Sequence, residues 1–488
     1  MGGPDEVYGM LFNSYVFLLL FFPLTFAVYH LMLKFKWFIL SKIFLVTASL
    51  YFYGFFKPSY IVILIGSIFL NYLICMKLWS SDSVVLKKIL LAAGCILNVG
   101  ILVYYKYTGF LLENMNYFFK TSFDSFSILL PLGISFYTFQ QLSFLIDAYK
   151  GENQKMSIVD YSLFVTFFPQ LVAGPIVLPE EMLPQFDDES RRKLNWKNMN
   201  TGLYFFACGL VKKCFVADTI AIIVNTGLNT NAPLNFAEAW LAGIGFTFQL
   251  YFDFSGYCDM AMGIGKFFNI DLPLNFNSPL KAYNFQDFWH RWHITLSRFM
   301  TKYLYYPLGG SRCGKIRTLT NQVIVFIVSG IWHGAGWIYL TWGALHGLCL
   351  LVNRMWTDFC KNKHPNWKIP LVPAVIVTFT IQAVLAMLFR VQSFTKTWEL
   401  LKIMFDFSKI TWVTKEFGKV IEDYGFDRDF IILVFFGAVA VAFFFPNSTE
   451  VNEKLEGHPY RKMCLTVILL VVGFVSVGRI SPFLYFNF

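Results

Sequence analysis

Long apolar runs alternate with short polar breaks along this chain. Residues 11–32 are apolar almost throughout, and further runs lie near 43–56, 59–76, 88–105, 127–147 and 160–178. They resume near 199–226, 234–256, 319–332, 337–353, 370–389, 430–445 and 464–478. At about 20 residues per crossing, this pattern predicts an all-α polytopic membrane protein with roughly eleven spans plus re-entrant pieces. Residues 1–10 include Asp5 and Glu6 and lack the basic cluster of a signal peptide, so the first run reads as a retained span.

One run is interrupted. Pro169 and Pro175 bracket Gly174, and both residue types stop helices. Irregular backbone at membrane depth is tolerated only inside protein or beside water, so a broken or re-entrant segment is expected there. No linker is long enough to set apart a second folded domain. Residues 1–488 therefore read as a single membrane domain, with a motif-bearing core at about 130–350 and loops at 357–369 and 404–428. No internal repeat of the transporter kind is visible.

Composition agrees with the pattern. Charged residues make up 14% of the chain, against about 25% in soluble proteins. The net charge is +10, and in the first part of the chain basic residues gather around the breaks, at Lys34, Lys36 and Lys42, then at Lys77, Lys87 and Lys88, then at Lys150 and Lys155. Basic loops stay on the cytoplasmic side, which puts the N-terminus outside. The positive charge thus reads as topology and contact with anionic lipid of the bilayer, not as nucleic-acid binding. The nine cysteines are scattered without a Cys-x-x-Cys pair, so neither a disulfide framework nor a zinc site is expected.

The candidate chemistry is concentrated between residues 249 and 347, which hold four of the seven histidines: His290, His293, His333 and His346. From 281 to 317 the basic residues include Arg291 and Arg298, and the only acid is Asp287. Each charge at a bilayer centre costs at least about 2.5 kcal/mol, so this segment belongs at the interface or along a water-filled funnel. It suits either anionic lipid or an anionic ligand such as a phosphopantetheine carrier. His290 and His293, three apart, would share a helical face with Asp287. Such a row can rest against phosphates, or act as a base or hydrogen-bonder at an acyl site. It lacks the surroundings of a metal site, and none is expected.

His333 sits in an apolar run, within Ser329-Gly330-Ile331-Trp332-His333-Gly334-Ala335-Gly336-Trp337. An ionisable group inside a span is a functional candidate, and the small neighbours leave room for a ligand. Asp253 and Asp259 are six apart and so face different ways on a helix, which favours structural hydrogen bonding over a paired-carboxylate site. Ser255 lacks the Gly-x-Ser-x-Gly setting of a nucleophile.

Together, these stretches resemble the membrane-bound O-acyltransferases, in particular their bacterial alginate O-acetylase branch. The similar pieces are Tyr251 to Ala261, Asp287-Phe288-Trp289-His290-Arg291-Trp292-His293 through Ser297, Tyr305 to Arg312, Ser329 to Ala335, and Trp342 to Gly347. Phe168 to Pro175, the opening Met10 to Ser14 and the closing Phe483 to Phe488 match as well. The resemblance implies a helical bundle around a tunnel, in a bacterial plasma membrane. An acyl group, acetyl in this branch, would pass from a cytoplasmic thioester to an exported polysaccharide. It places the family's near-invariant histidine at His333 and a second polar residue at His293. Members usually carry Arg or Asn at the position of His290, which favours His293 over it.

In such a site His333 would be the base, assisted by His293, and Trp289, Trp292, Trp332 and Trp337 would exclude water from the thioester. His290, Arg291, Ser297, Arg298, Asp253 and Asp259 are candidates for lining the tunnel or holding the donor. No bound cofactor is implied. The donor would be acetyl-CoA or a carrier-protein thioester, and the expected partners are an extracytoplasmic acetyltransferase or polysaccharide export machinery, with a cytoplasmic acyl carrier protein. Two other functions fit the sequence: teichoic-acid D-alanylation from a carrier thioester, and a transporter or flippase.

Overall fold

The computed structural model describes residues 10–124, 128–229, 234–363, 370–425, 427–477 and 483–484. Residues 1–9, the end of the expected 357–369 loop and the last four residues of the closing motif lie outside the described residues. Among the described residues the regular structure is entirely helical. Five segments are long and apolar enough to cross a membrane: Phe17–Lys34, Ser59–Ser80, Val84–Phe119, Leu371–Val391 and Pro459–Ser476. Arg428–Phe444 and Ser448–Lys454, bent by 62°, make a sixth if they act as one.

The other apolar runs form shorter or more polar helices. Phe38–Gly54 has only 17 residues. Phe236–Phe267 is long but carries Glu238, Asp253, Asp259 and Lys266. Aliphatic side chains stand exposed along the membrane-capable helices, among them Leu19 (66%), Val62 (73%) and Ile96 (72%), a surface that suits lipid and not water.

The chain forms two compact units. The first comprises residues 1–206 and 257–273. Its core holds a ring cluster in which Phe52 meets Phe12 at 5.6 Å and Phe168 at 5.7 Å. Buried Asn71, Asn98 and Gln141 satisfy one another by side-chain hydrogen bonds, as polar groups inside an apolar bundle must. The expected break is present here. Ile158–Thr166 stops at Phe167, and a four-residue helix, Phe168–Leu171, follows. Ser49 Oγ accepts the freed Phe168 N–H at 3.1 Å. A Cβ on Gly174 would sit 2.8 Å from the Pro169 carbonyl, so the turn after the break requires glycine.

The second unit comprises residues 207–256 and 274–488. Lys213 is buried between Asp218 and Asp253, 2.7 Å from each. Asp253 also accepts the Leu484 backbone N–H at 3.1 Å. Lys315–His333 and Trp337–Lys363 pack as an antiparallel pair joined by a three-residue turn. They approach through glycine: a Cβ on Gly330 would stand 3.0 Å from the Gly343 Cα, and one on Gly347 would stand 3.1 Å from the Val323 Cα. This is the small-residue contact expected of membrane helices. The expected loops are partly helical. Trp337–Lys363 runs on through 357–363, and Lys415–Glu422 forms within 404–428.

Candidate active site

The Asp287–His293 row is not one helical face. The Phe285–Arg291 helix, capped by Asn284, ends before Trp292, and His293 adopts a left-handed conformation (φ 44°) that starts a new helix, Ile294–Met300. The two histidines therefore part: His290 is exposed and His293 is fully buried. Residues three apart share a face only on a continuous helix, and the left-handed turn at His293 breaks that continuity. Asp287 instead pairs with Arg291, Oδ1 to Nε, at 2.8 Å.

His293 is fixed from behind. Asn275 Oδ1 accepts the Thr295 backbone N–H at 3.2 Å and the Thr295 hydroxyl at 2.9 Å, and it lies 3.2 Å from His293 Nδ1. A backbone N–H can only donate, so this Asn275 atom is the oxygen, and His293 must donate from Nδ1. Nε2 is then the acceptor nitrogen. Burial pushes the His293 pKa down to about 3, which keeps the ring neutral near pH 7. Phe254 packs edge-on against it at 5.0 Å.

His333 is buried at the end of its helix. The Trp332 indole lies 4.8 Å from the His333 ring and 6.3 Å from the His293 ring, and so touches both histidines. Trp342 and Phe389 close around His333 at 5.2 and 5.6 Å.

Two cavities adjoin this cluster. A small apolar chamber of about 50 Å³ is lined by His333, Trp289, Trp292, Trp342 and Phe389, among others. A larger cavity of about 530 Å³ is lined by His290, Ser297, Tyr305, Ser329, Arg354 and Lys361, among others. Trp289 lines both.

The expected tryptophan wall is thus redrawn. Trp289 and Trp292 face the chamber, Trp332 stands between the histidines, and Trp337 is 53% exposed. Ser297 donates to the Trp289 carbonyl at 3.3 Å and lines the larger cavity. Arg298 is half-buried on the Ile294–Met300 helix. Asp253 is held in the Lys213 pair, and Asp259 belongs to the first unit. Neither aspartate lines these two cavities. Thr247 and Gln382 line the chamber and Arg354 and Lys361 the larger cavity, and none of the four was among the sequence candidates. Gln382 carried a readable signal, a lone amide in a strongly apolar span.

Two buried histidines that share one indole, one of them beside a small apolar chamber, with a larger cavity across a second indole, make an arrangement suited to acyl transfer. A family model for the membrane-bound O-acyltransferases matches residues 148–391, and this chain belongs to that family. It is 38% identical to the peptidoglycan O-acetyltransferase of Helicobacter pylori, over 99% of this chain and 98% of that protein. It is 33% identical to the probable alginate O-acetylase AlgI of Pseudomonas aeruginosa, over 84% and 77%. It is 25% identical to the teichoic acid D-alanyltransferase of Bacillus subtilis, over 51% and 65%. The protein is a multi-pass membrane acyltransferase of the O-acetyltransferase kind.

Proposed function

We propose that this protein carries acetyl groups from a cytoplasmic thioester across a bacterial plasma membrane for O-acetylation of a cell-envelope glycan. The end-to-end match to a peptidoglycan O-acetyltransferase makes peptidoglycan the first acceptor to test. The observation that carries the reading is His333 in a chamber separated from the larger cavity by Trp289 alone among their shared lining residues. The donor's pantetheine arm enters through the larger cavity, whose Arg354 and Lys361 suit its phosphate. The two cavities form the inner part of a tunnel through a bundle of about eleven crossings, with the N-terminus outside.

His333 takes the proton of the acceptor hydroxyl as its oxygen attacks the thioester carbonyl carbon. The tetrahedral intermediate collapses, the C–S bond breaks, and the proton passes to the leaving thiolate. Neutral His293, locked as the Nδ1–H tautomer by Asn275, orders the site around Trp332. An acyl carrier protein or coenzyme A supplies the thioester, and an extracytoplasmic acetyltransferase or the glycan export machinery receives the product.

The test supplies radiolabelled acetyl thioester to either face of proteoliposomes containing the wild type or His333→Ala. Label on an acceptor across the membrane, lost with His333→Ala, supports the reading. Normal transfer by His333→Ala rules out the catalytic assignment. Transfer from a D-alanyl carrier thioester, with none from acetyl donors, would favour teichoic-acid D-alanylation instead.

A further inference from the structure

The segment behind His293 is tied to a distant part of the second unit through one side chain. Residues 275–277 run alongside 291–294. The Asn277 N–H donates to the Arg291 carbonyl at 2.9 Å, and the Ile294 N–H donates to the Asn275 carbonyl at 3.0 Å. Each side of this pairing has a left-handed residue: Ser278 (φ 49°), just beyond Asn277, and His293 (φ 44°). Residues with side chains rarely hold that conformation, and it persists only where the surroundings over-determine it. Asn275 secures the His293 side, through Thr295. Asn447 secures the Ser278 side: its amide nitrogen donates to Asn277 Oδ1 at 2.9 Å and to the Ser278 hydroxyl oxygen at 3.1 Å. The orientation of that amide is forced, because Asn447 Oδ1 accepts the Glu450 backbone N–H at 3.0 Å. The oxygen therefore caps the Ser448–Lys454 helix, and the nitrogen reaches across to the other segment.

We propose that Asn447 is a positioning residue for His293: by pinning residues 277 and 278, it fixes the segment from which Asn275 holds the imidazole. This rests on the acyl-transfer reading above and extends it to a residue that lines neither cavity. All the residues involved belong to the second unit. Asn447 sits at the 62° bend between Arg428–Phe444 and Ser448–Lys454. A second tie crosses at the same place, where Lys281 Nζ donates to the Phe445 carbonyl at 2.7 Å. That carbonyl ends the Arg428–Phe444 helix, the pole at which a cation is favoured. The same helix packs against Pro279–Lys281. The bend thus grips its neighbour at Asn277, Ser278 and Lys281. Asn447 acts through Asn277 and the paired backbone on Asn275, two residues away. The contact it protects is sensitive. Asn275 Oδ1 lies 3.2 Å from His293 Nδ1, at the long end of the hydrogen-bond range, so a shift of about 0.5 Å would break it.

Capping and positioning can be separated at this residue. Serine is as good an N-cap as asparagine, but its side chain is shorter and its hydroxyl has one proton where the amide has two. Asn447→Ser therefore keeps the helix and cuts the tie. The experiment uses full-length protein in proteoliposomes, with radiolabelled acetyl-coenzyme A as the probe, and thermal unfolding of the same preparations. For Asn447→Ser, kcat is expected to fall ~10-fold, as when a reacting group is displaced from a distance. KM is expected to stay nearly unchanged, and Tm within about 2 °C of the wild type. Asn277→Asp keeps an acceptor oxygen for the Asn447 amide and is expected to hold kcat within ~2-fold. In an Asn275→Leu background the contact that Asn447 protects is already gone, so Asn447→Ser is expected to change kcat by less than ~2-fold there. Wild-type kcat in Asn447→Ser would overturn the assignment. So would a fall in kcat matched by a fall in Tm, or an undiminished loss in the Asn275→Leu background. Failure of the broader reading looks different: wild type would then transfer no more acetyl than His333→Ala.

Discussion

Asn275 decides which nitrogen of His293 carries the proton. Its oxygen is committed to the Thr295 backbone N–H, so His293 Nδ1 must donate to it, at 3.2 Å. Asn275→Leu is expected to free the tautomer and lower transfer by ~10–100-fold, in the range seen when a partner orienting an essential imidazole is removed. Asn275→Asp goes further. A carboxylate there favours the imidazolium of His293, so the acid side of the pH–rate profile is expected to move to higher pH than in wild type. A pH–rate profile from 5 to 9 (~ range chosen around the ordinary histidine pKa) checks it, and superimposable profiles would remove Asn275 from this role.

The same burial links His293 to stability. Its folded pKa of about 3 lies below the ordinary value of 6.5, so the unfolded chain binds the extra proton first. The stabilising contribution of the neutral ring is fully present above about pH 6.5 and is lost as pH falls toward 3. Melting of the detergent-solubilised protein is expected to drop between pH 7 and pH 4 (about the window of that titration), and His293→Gln is expected to flatten this slope. An unchanged slope would place the acid sensitivity elsewhere.

Lys213 neutralises two buried carboxylates at 2.7 Å. Lys213→Met leaves both without it and is expected to destabilise the protein by ~3–5 kcal/mol. Adding Asp218→Asn and Asp253→Asn in the same chain is expected to restore most of the loss, because the two carboxylates are then neutralised together with the lysine. Size-exclusion profiles and melting curves of the single and triple variants report this directly.

Glycine at 343 sets how closely two helices approach. A Cβ there would stand 3.1 Å from the Gly330 Cα, so Gly343→Ala is expected to lower both Tm and activity by moving His333. Gly437→Ala is the comparison: it meets nothing within 4 Å and is expected to leave activity within twofold (~2-fold, the scatter of neutral surface changes).

Trp289 separates the chamber from the larger cavity. Trp289→Ala is expected to join them and to raise thioester hydrolysis relative to transfer, since water then reaches the reacting carbon. The ratio of free acetate to acetylated acceptor measures the effect.

Much of this was legible before the structure. The apolar runs gave helices, Pro169 and Pro175 gave the break after Thr166, and His333 stood out as an ionisable group among glycines and tryptophans. Local spacing misled where the backbone leaves its helix. His290 and His293 part because one residue turns left-handed, and no side-chain pattern nearby announces that turn. Trp337 was a natural wall residue by proximity to His333, yet Trp342, one and a half turns on, points back to the imidazole. Contacts made from far along the chain were the least legible. Phe389 and Gln382 reach the chamber from a helix that looks like any other span, and only the lone amide sets it apart.

The hydrogen bond from Leu484 to Asp253 also bears on the order in which the molecule is completed. The two residues are 231 positions apart. At about 5–20 residues per second of synthesis, the carboxylate is made roughly 10–50 seconds before its last partner exists. Through that interval the Lys213 pair alone must shelter it, and the growing chain holds an unfinished core. Biogenesis of the second unit therefore closes late, and substitutions at Leu484 such as Leu484→Pro, which removes the donor, are expected to surface as proteolysis of newly made protein before any change in the rate of the mature enzyme.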